Sequence, residues 1–223
     1  MKFFATVILF FSFTTASKAE ISTQIVENEY SFTANNLPEM LVQVQRHGPK
    51  VKGLDTWASL QSEIDAEYKV VNDNDGCQFY QPKVEVRAVM TLPNWQNIAI
   101  LENEIHQWWR GYINYLSEHE LVHLSIVKQA AQKLLTKLSQ KHQGYNCSAL
   151  RKRYFSYKVE MLTEIRAQDA EFDRNSNSEL VNNKSLFALL SPHMNNKIEF
   201  KKPVAKLTFH ENFSGFLGSA LTH

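Results

Sequence analysis

His119, Glu120 and His123, in the pentapeptide His-Glu-Leu-Val-His, are the residues of this chain whose types and spacing fit a reaction. On a helix, positions four apart share a face, one turn from each other. His119 and His123 can therefore aim two imidazole nitrogens at one point, as tetrahedral Zn2+ requires. Glu120 lies beside that point, where a carboxylate can take a proton from a zinc-bound water. This is the His-Glu-x-x-His arrangement of zinc peptidases, with Glu120 as general base. The spacing sets up the expectation of a metal centre and says nothing about the substrate.

Positioning these residues requires a helix, and from about Leu101 the pattern is helical. Ile105, Trp108, Tyr112, Tyr115, His119, Val122, Ile126, Ala130, Leu134 and Leu138 follow its period. One helix of that length would be ~60 Å long, so a break is expected near Gly111 or Ser117. Ser117-Glu118-His119-Glu120 has the form of a capping box that would start a new helix there. Trp108, Trp109 and Tyr112 read as core aromatics at helical spacing rather than as a substrate platform. Tyr112 and Tyr115 are candidate donors to a developing oxyanion. Gln143-Gly144-Tyr145-Asn146 predicts a turn, and a further helix is expected from Cys147 to about Phe172. Two helices joined by a short turn pack antiparallel. Reflection about residue 143 or 144 puts Glu164 opposite His123 and Gln168 opposite His119. Glu164 is therefore a candidate third ligand, against the alternative of a solvated helix carboxylate.

The upstream chain reads as a small sheet. Gln24 to Thr33 predicts a short strand, and Asn35-Asn36-Leu37-Pro38 a helix entry. Leu37, Met40, Leu41 and Val44 continue that helix until His47-Gly48-Pro49 stops it. Trp57 to Val71 and Cys77 to Met90 alternate around the turn Asn72-Asp73-Asn74-Asp75-Gly76. Val84, Val86 and Ala88 would face one side, and Lys83, Glu85 and Arg87 the other, as in an antiparallel hairpin with one wet face. Asp73 and Asp75 have calcium-like spacing, but the other ligands of such a loop are missing. The expected fold is α+β: a small antiparallel β-sheet within residues 50–95, then a long-helix hairpin over 100–172 carrying a zincin-like active-site helix. The polar stretch 179–223 reads as a C-terminal extension. Within it, a helical turn at Leu186 to Leu190 and weak strand character from Lys197 to His210 are expected. His193, His210 and His223 read as isolated surface histidines.

The N-terminus has a separate signature. Met1-Lys2, the apolar run Phe3 to Phe13 and Ser17-Lys18-Ala19 form a secretory signal peptide, residues 1–19, cut after Ala19. About eleven apolar residues fall short of the ~20 that span a bilayer. Membrane insertion of the mature chain is not expected, and export to the periplasm or the medium is. The 223 residues are 43% hydrophobic and 21% charged, which suits one globular domain over 20–178 and excludes wholesale disorder. Loss of Lys2 and Lys18 lowers the 24 basic residues to 22 against 23 acidic ones. Without a basic stripe, nucleic acid is not an expected partner. Cys77 and Cys147 are an even pair, which in an exported chain most often form a disulfide; a metal-binding or nucleophilic cysteine is the alternative.

Several landmarks fall in a fixed order: Gly48-Pro49, Trp57, Cys77, Leu92-Pro93-x-Trp95, Trp108 or Trp109, Tyr112, Leu116, His119-Glu120-x-x-His123, Cys147 and Phe172-Asp173. In this order the chain resembles the "domain of unknown function 922" family, a group described as predicted secreted zinc-dependent proteases. The resemblance spans about residues 28 to 173. It implies His119 and His123 as Zn2+ ligands, Glu120 as base, a peptide or protein substrate, and pairing of Cys77 with Cys147. The family pattern continues Tyr-Asp-x-x-Thr-x-His-Gly, where this chain has Phe172-Asp173-x-x-Ser176-x-Ser178-Glu179. Serine stands in place of the family's histidine, so the third ligand passes to Glu164 or Asp173. The alternative is an inactive binding protein on the same scaffold. The oligomeric state is not legible.

Overall fold

The computed structural model describes residues 19–51, 54–74, 76–182 and 206–211. In chain order the elements are β1 (Glu20–Phe32), α1 (Leu37–His47), β2 (Lys50–Val51), β3 (Leu54–Asp55), β4 (Ser59–Asp73) and β5 (Gly76–Trp95). A 3-10 turn (Ile98–Ile100), α2 (Asn103–Ser139), α3 (Cys147–Asn182) and β6 (Lys206–Glu211) follow. The class is α+β. Among the described residues no helix is long and apolar enough to cross a membrane. The predicted signal peptide lies outside the described residues except for Ala19, as do the expected helical turn at Leu186 to Leu190, His193 and His223.

β4 and β5 form the expected antiparallel hairpin, from Ser59↔Thr91 to Asp73↔Gly76. Gly76 has φ +111, and a Cβ there would lie 2.8 Å from the Tyr145 carbonyl oxygen. That carbonyl accepts from the Cys77 amide at 2.8 Å, so the hairpin tip needs glycine to approach the start of α3. A bulge sets Gln81 and Pro82 against Tyr68, with Gln81 at φ +49. The extra residue shifts strand parity, so odd-numbered Cys77 and Phe79 share the buried face with even-numbered Val84, Val86, Ala88 and Met90. The other face is wet: Arg87 pairs with Glu63, Asp65 and Glu85, and Lys83 with Glu20.

Within residues 50–95 the β4–β5 pairing is antiparallel as expected, and two strands from outside that range add parallel edges. The sheet order is β1-β5-β4-β6, with β1 parallel to β5 and β6 parallel to β4. β1 is also longer than the run Gln24 to Thr33 that its β-branched residues mark, because pairing with β5 extends it to Glu20. Pro93 is tolerated in β5 because β4 has already ended, at Ser59 opposite Thr91. α1 forms as expected: Asn36 caps it, accepting from the Glu39 amide at 2.9 Å, and Leu37, Met40, Leu41 and Val44 are buried. Gly48 ends it where a Cβ would lie 2.5 Å from the backbone oxygens of both Thr56 and Val44.

The break expected near Gly111 or Ser117 does not occur: α2 is one helix of 37 residues, ~56 Å long. Two cores support it. Its first half, with Trp109 and Leu116, packs with α1, Phe32, Trp57 and Trp95. Its second half, from Leu124 to Leu138, packs on the β4–β5 face and on Tyr154, Tyr157, Met161 and Ile165 of α3. Ser117 caps nothing; its hydroxyl contacts the Met90 sulfur at 3.9 Å. α3 likewise runs past the expected end at Phe172, to Asn182. Cys77 and Cys147 are joined, Cα atoms 5.0 Å apart, which ties the hairpin tip to the start of α3 across 70 residues. Closing a loop of that size stabilises by roughly 4 kcal/mol on the chain-entropy model.

Two glycines separate helix continuity from backbone crowding. A Cβ at Gly111 meets nothing within 4 Å. Gly111→Ala is expected to stabilise the mature chain by about 0.5–1 kcal/mol, raising Tm by roughly 1–4 °C. Gly48→Ala, facing two carbonyls, is expected to lose about 1–3 kcal/mol. Thermal unfolding of both variants checks this; a Gly111→Ala variant less stable than wild type would contradict the unbroken helix.

Candidate metal centre

His119 and His123 lie on the face of α2 turned to α3, where residues four apart on one helix meet residues four apart on the other. Opposite them stand Asp169 and Asp173. The His123 Nε2 is 3.1 Å from Asp173 Oδ1 and 3.2 Å from the His119 Nε2, and the His119 Nε2 is 3.5 Å from the same Asp173 oxygen. One ligand atom from each of these three residues lies within 4.8 Å of the other two. On its far side His123 Nδ1 donates to Asp169 Oδ1 at 2.9 Å. An ionised carboxylate only accepts, so this bond keeps the proton on Nδ1 and leaves Nε2 turned to the centre.

The α2 side of the centre is shielded from solvent, the α3 side less so. His119 is 5% exposed, and Glu120 and His123 are 0% exposed. Phe172 closes one side, its ring 4.7 Å from the His119 ring and 5.1 Å from that of His123. The Tyr115 ring stands 6.2 Å from His119 on another side. Among the described residues neither carboxylate oxygen of Glu120 makes a hydrogen bond of ordinary geometry. Burial pushes the Glu120 carboxyl up to about 7, against a lowering by the His123 charge, with Asp173 adding to the rise. The Leu60 backbone amide pulls in the lowering direction. For His123, burial lowers the pKa, but hydrogen bonds and charge from Asp169 and Asp173 outweigh it and raise the imidazole to about 9. Burial of Asp173 alone would raise it; its contacts with His119 and His123 win and hold it at about 2. Asp169, Asp173 and Glu120 thus set three carboxyl groups around two imidazoles.

The candidates separate clearly. Asp173 joins the two histidines. Glu164 does not: it pairs with Lys133 and accepts from Gln168 Nε2 at 3.0 Å. Reflection about residue 143 or 144 fails because the chain between α2 and α3 runs on past Ser139 before reversing at Gly144, φ +77. Pairings of His123 with Asp169, Lys133 with Glu164 and Lys137 with Glu160 centre near residues 146 to 149 instead. The residue opposite His123 is therefore Asp169, five positions beyond Glu164. Asp169 was legible only as the residue four before Asp173 on the same stripe. Ser178 lies five residues after Asp173 on the continuous helix, about 140° round it.

The aromatic residues divide the same way. Trp109 is core, edge-on to Trp95 and Phe32. Tyr112 stacks on Trp108 and meets Trp57 edge-on, and burial drives its phenol far above the usual tyrosine range. Among the described residues His47 is exposed, and His210 lies in β6. The disulfide joins Cys77 and Cys147, so neither is a free thiol.

No curated protein and no solved structure matches the chain. A family model described as "Bacterial protein of unknown function (DUF922)" matches residues 27–179, which include β4, β5, both histidines, Glu120, Asp169, Asp173 and both cysteines. With that model covering more than half of its length, the chain belongs to the DUF922 family of bacterial proteins.

Proposed function

We propose that this protein is an exported, zinc-dependent hydrolase of peptide bonds. The observation that carries the reading is the spacing of three donors. For bonds of ~2.0–2.1 Å to a tetrahedral ion, ligand atoms stand ~3.3–3.4 Å apart. The His119 nitrogen, His123 nitrogen and Asp173 oxygen are separated by 3.1, 3.2 and 3.5 Å. Two imidazoles and a carboxylate are also a donor set of catalytic zinc sites, which leave the fourth position open.

In this reading His119, His123 and Asp173 hold the ion, and Asp173 takes the part that the family's histidine, replaced here by Ser178, would otherwise play. Zinc at this point supplies a water acidified toward ~7 and a polarised scissile carbonyl. Asp169 fixes the His123 ring and its tautomer. Glu120, next to His119 in sequence, takes the proton of the attacking water and passes it to the leaving nitrogen. Phe172 and the packing around Glu120 keep bulk water from the proton transfer. Export rests on the charged start, apolar run and small residues of positions 1–19, and on a disulfide of the kind that persists in oxidising compartments.

The burial of His119, Glu120 and His123 favours a second reading, a binding protein on the same scaffold that holds the ion without turnover. Metal analysis and one substitution separate the two. Wild type is expected to carry about one zinc per chain, His119→Ala and Asp173→Ala to lose it, and Glu164→Ala to keep it. Asp169→Asn is expected to weaken zinc affinity by about 10–100-fold. Equal zinc in wild type and His119→Ala would sink the metal reading. Glu120→Gln is expected to keep its zinc and lose peptide hydrolysis by about 10²–10⁴-fold. Zinc-loaded wild type that hydrolyses no peptide in a broad mixture would instead identify the binding protein.

A further inference from the structure

We infer that the edge of β4 from Gln61 to Ala66 is the strand on which the peptide substrate docks, and that β6 is the chain's own strand holding that edge closed. The inference rests on the peptidase reading and adds to it the substrate's binding mode and a self-supplied competitor.

The edge leads directly into the candidate centre. Ser117 of α2 touches Met90 of β5, and Met90 is the register partner of Leu60 on β4. Glu120, three residues after Ser117 on the same side of α2, thereby stands against Leu60, and both are fully buried. The Leu60 amide acts on the Glu120 carboxylate. β6 begins one residue further along, with Lys206 beside Gln61, and continues in parallel to Glu211 beside Ala66. Any extended chain on this edge thus has one end next to Leu60, whose amide acts on Glu120, the sequence neighbour of His119.

A strand edge offers amides and carbonyls to whatever backbone reaches them, with alternate side chains setting preference. On β4 the residues Ser62, Ile64 and Ala66 are buried on the helix side, whereas Glu63 and Asp65 lie on the opposite face with Arg87. One oxygen of Asp65, Oδ1, is buried without a hydrogen bond among the described residues. The edge therefore suits a peptide with apolar residues at every second position and a basic or hydrogen-bond-donating residue beside Asp65. The β6 sequence Lys-Leu-Thr-Phe-His-Glu has that pattern in register: Leu207 beside Ser62, Phe209 beside Ile64, Thr208 beside Glu63 and His210 beside Asp65. β6 also lies beyond residues 27–179, so it is an addition to the part that the family model matches. A tethered strand at an effective concentration on the order of 1 mM suppresses an added peptide of ~0.1 mM affinity by about tenfold.

The test uses the full mature chain and the fluorescein-labelled hexapeptide Lys-Leu-Thr-Phe-His-Glu. The adjacent substitutions Thr208→Pro and Phe209→Pro together remove a ladder donor, because neighbouring amides of a strand point to opposite sides, and set a ring against β4. A second form carries a protease recognition sequence inserted after Asn182 and is folded intact before cutting, so the outcome does not depend on the proline variant folding. Both are expected to bind the hexapeptide about tenfold more tightly than wild type, in fluorescence anisotropy. Amides of residues 61–66 should lose exchange protection when β6 is released and regain it with the peptide. Equal binding by all three proteins, or protection regained only elsewhere, overturns the inference. Tighter binding without hydrolysis by the zinc-loaded forms would support the docking edge and overturn the peptidase reading alone. Hydrolysis that is equal with β6 paired and released would overturn the inference and leave the peptidase reading standing.

Discussion

Two imidazoles on α2 facing two carboxylates on α3 form the contact on which the rest of the arrangement depends. His119 and His123, both buried, meet the partly buried Asp173 and Asp169. Buried groups of this kind stabilise only while all of them are matched, and one left unmatched costs several kcal/mol. A slip of one helical turn between α2 and α3 would strand a carboxylate against apolar surface and a histidine against nothing. Register is thus far more strictly determined here than it would be between two leucine faces. The exposed pairs Lys133–Glu164 and Lys137–Glu160 follow the same register nearer the turn, where solvent makes them weak. They are consistent with the register and do not set it.

The length of α2 follows from a division of labour. Its first half belongs to a core made by α1, the end of β1 and the tryptophans 57, 95 and 109. Its second half covers the hairpin and receives α3. The His-Glu-Leu-Val-His segment sits where the two cores adjoin, between Leu116 and Leu124. Apolar packing on both sides fixes the backbone there, so the side chains of the centre are carried by a rigid element and not by a loop. Gly111 lowers local helix propensity, but a preference of about 1 kcal/mol is small beside the burial on either side of it.

What was legible in the sequence divides along the same physical line. The pentapeptide, the α1 stripe and the alternation of β5 were readable because each depends on spacing within one element. Asp173 could be read only through a resemblance, and Glu164 was an equal candidate, because the partner across a helical hairpin depends on the path of residues 140–146. That path includes a reversal at Gly144 and a tie from Cys147 to the hairpin tip, neither of which leaves a periodic signal. The parallel direction of β1 was hidden for a related reason: a strand's own alternation does not say which way its neighbour runs. The bulge at Gln81 and Pro82 was invisible as a parity change until Cys77 and Val84 were seen on one face. Asp169 was missed because its value lies entirely in what stands opposite it.

α3 is held in two places by different chemistry. The disulfide fastens its first residue, Cys147, and the His–Asp cluster fastens it at Asp169 and Asp173, about 33 to 39 Å further on. The first fastening is covalent and answers to the redox state of its surroundings; the second is ionic and answers to protons and cations. A strut pinned at both ends by unlike bonds can be released at either end while the other holds. Acid would loosen the end nearest Phe172, with the hairpin end still tied. A reducing one would do the reverse. The same helix thus reports two properties of the compartment it inhabits, one at each end.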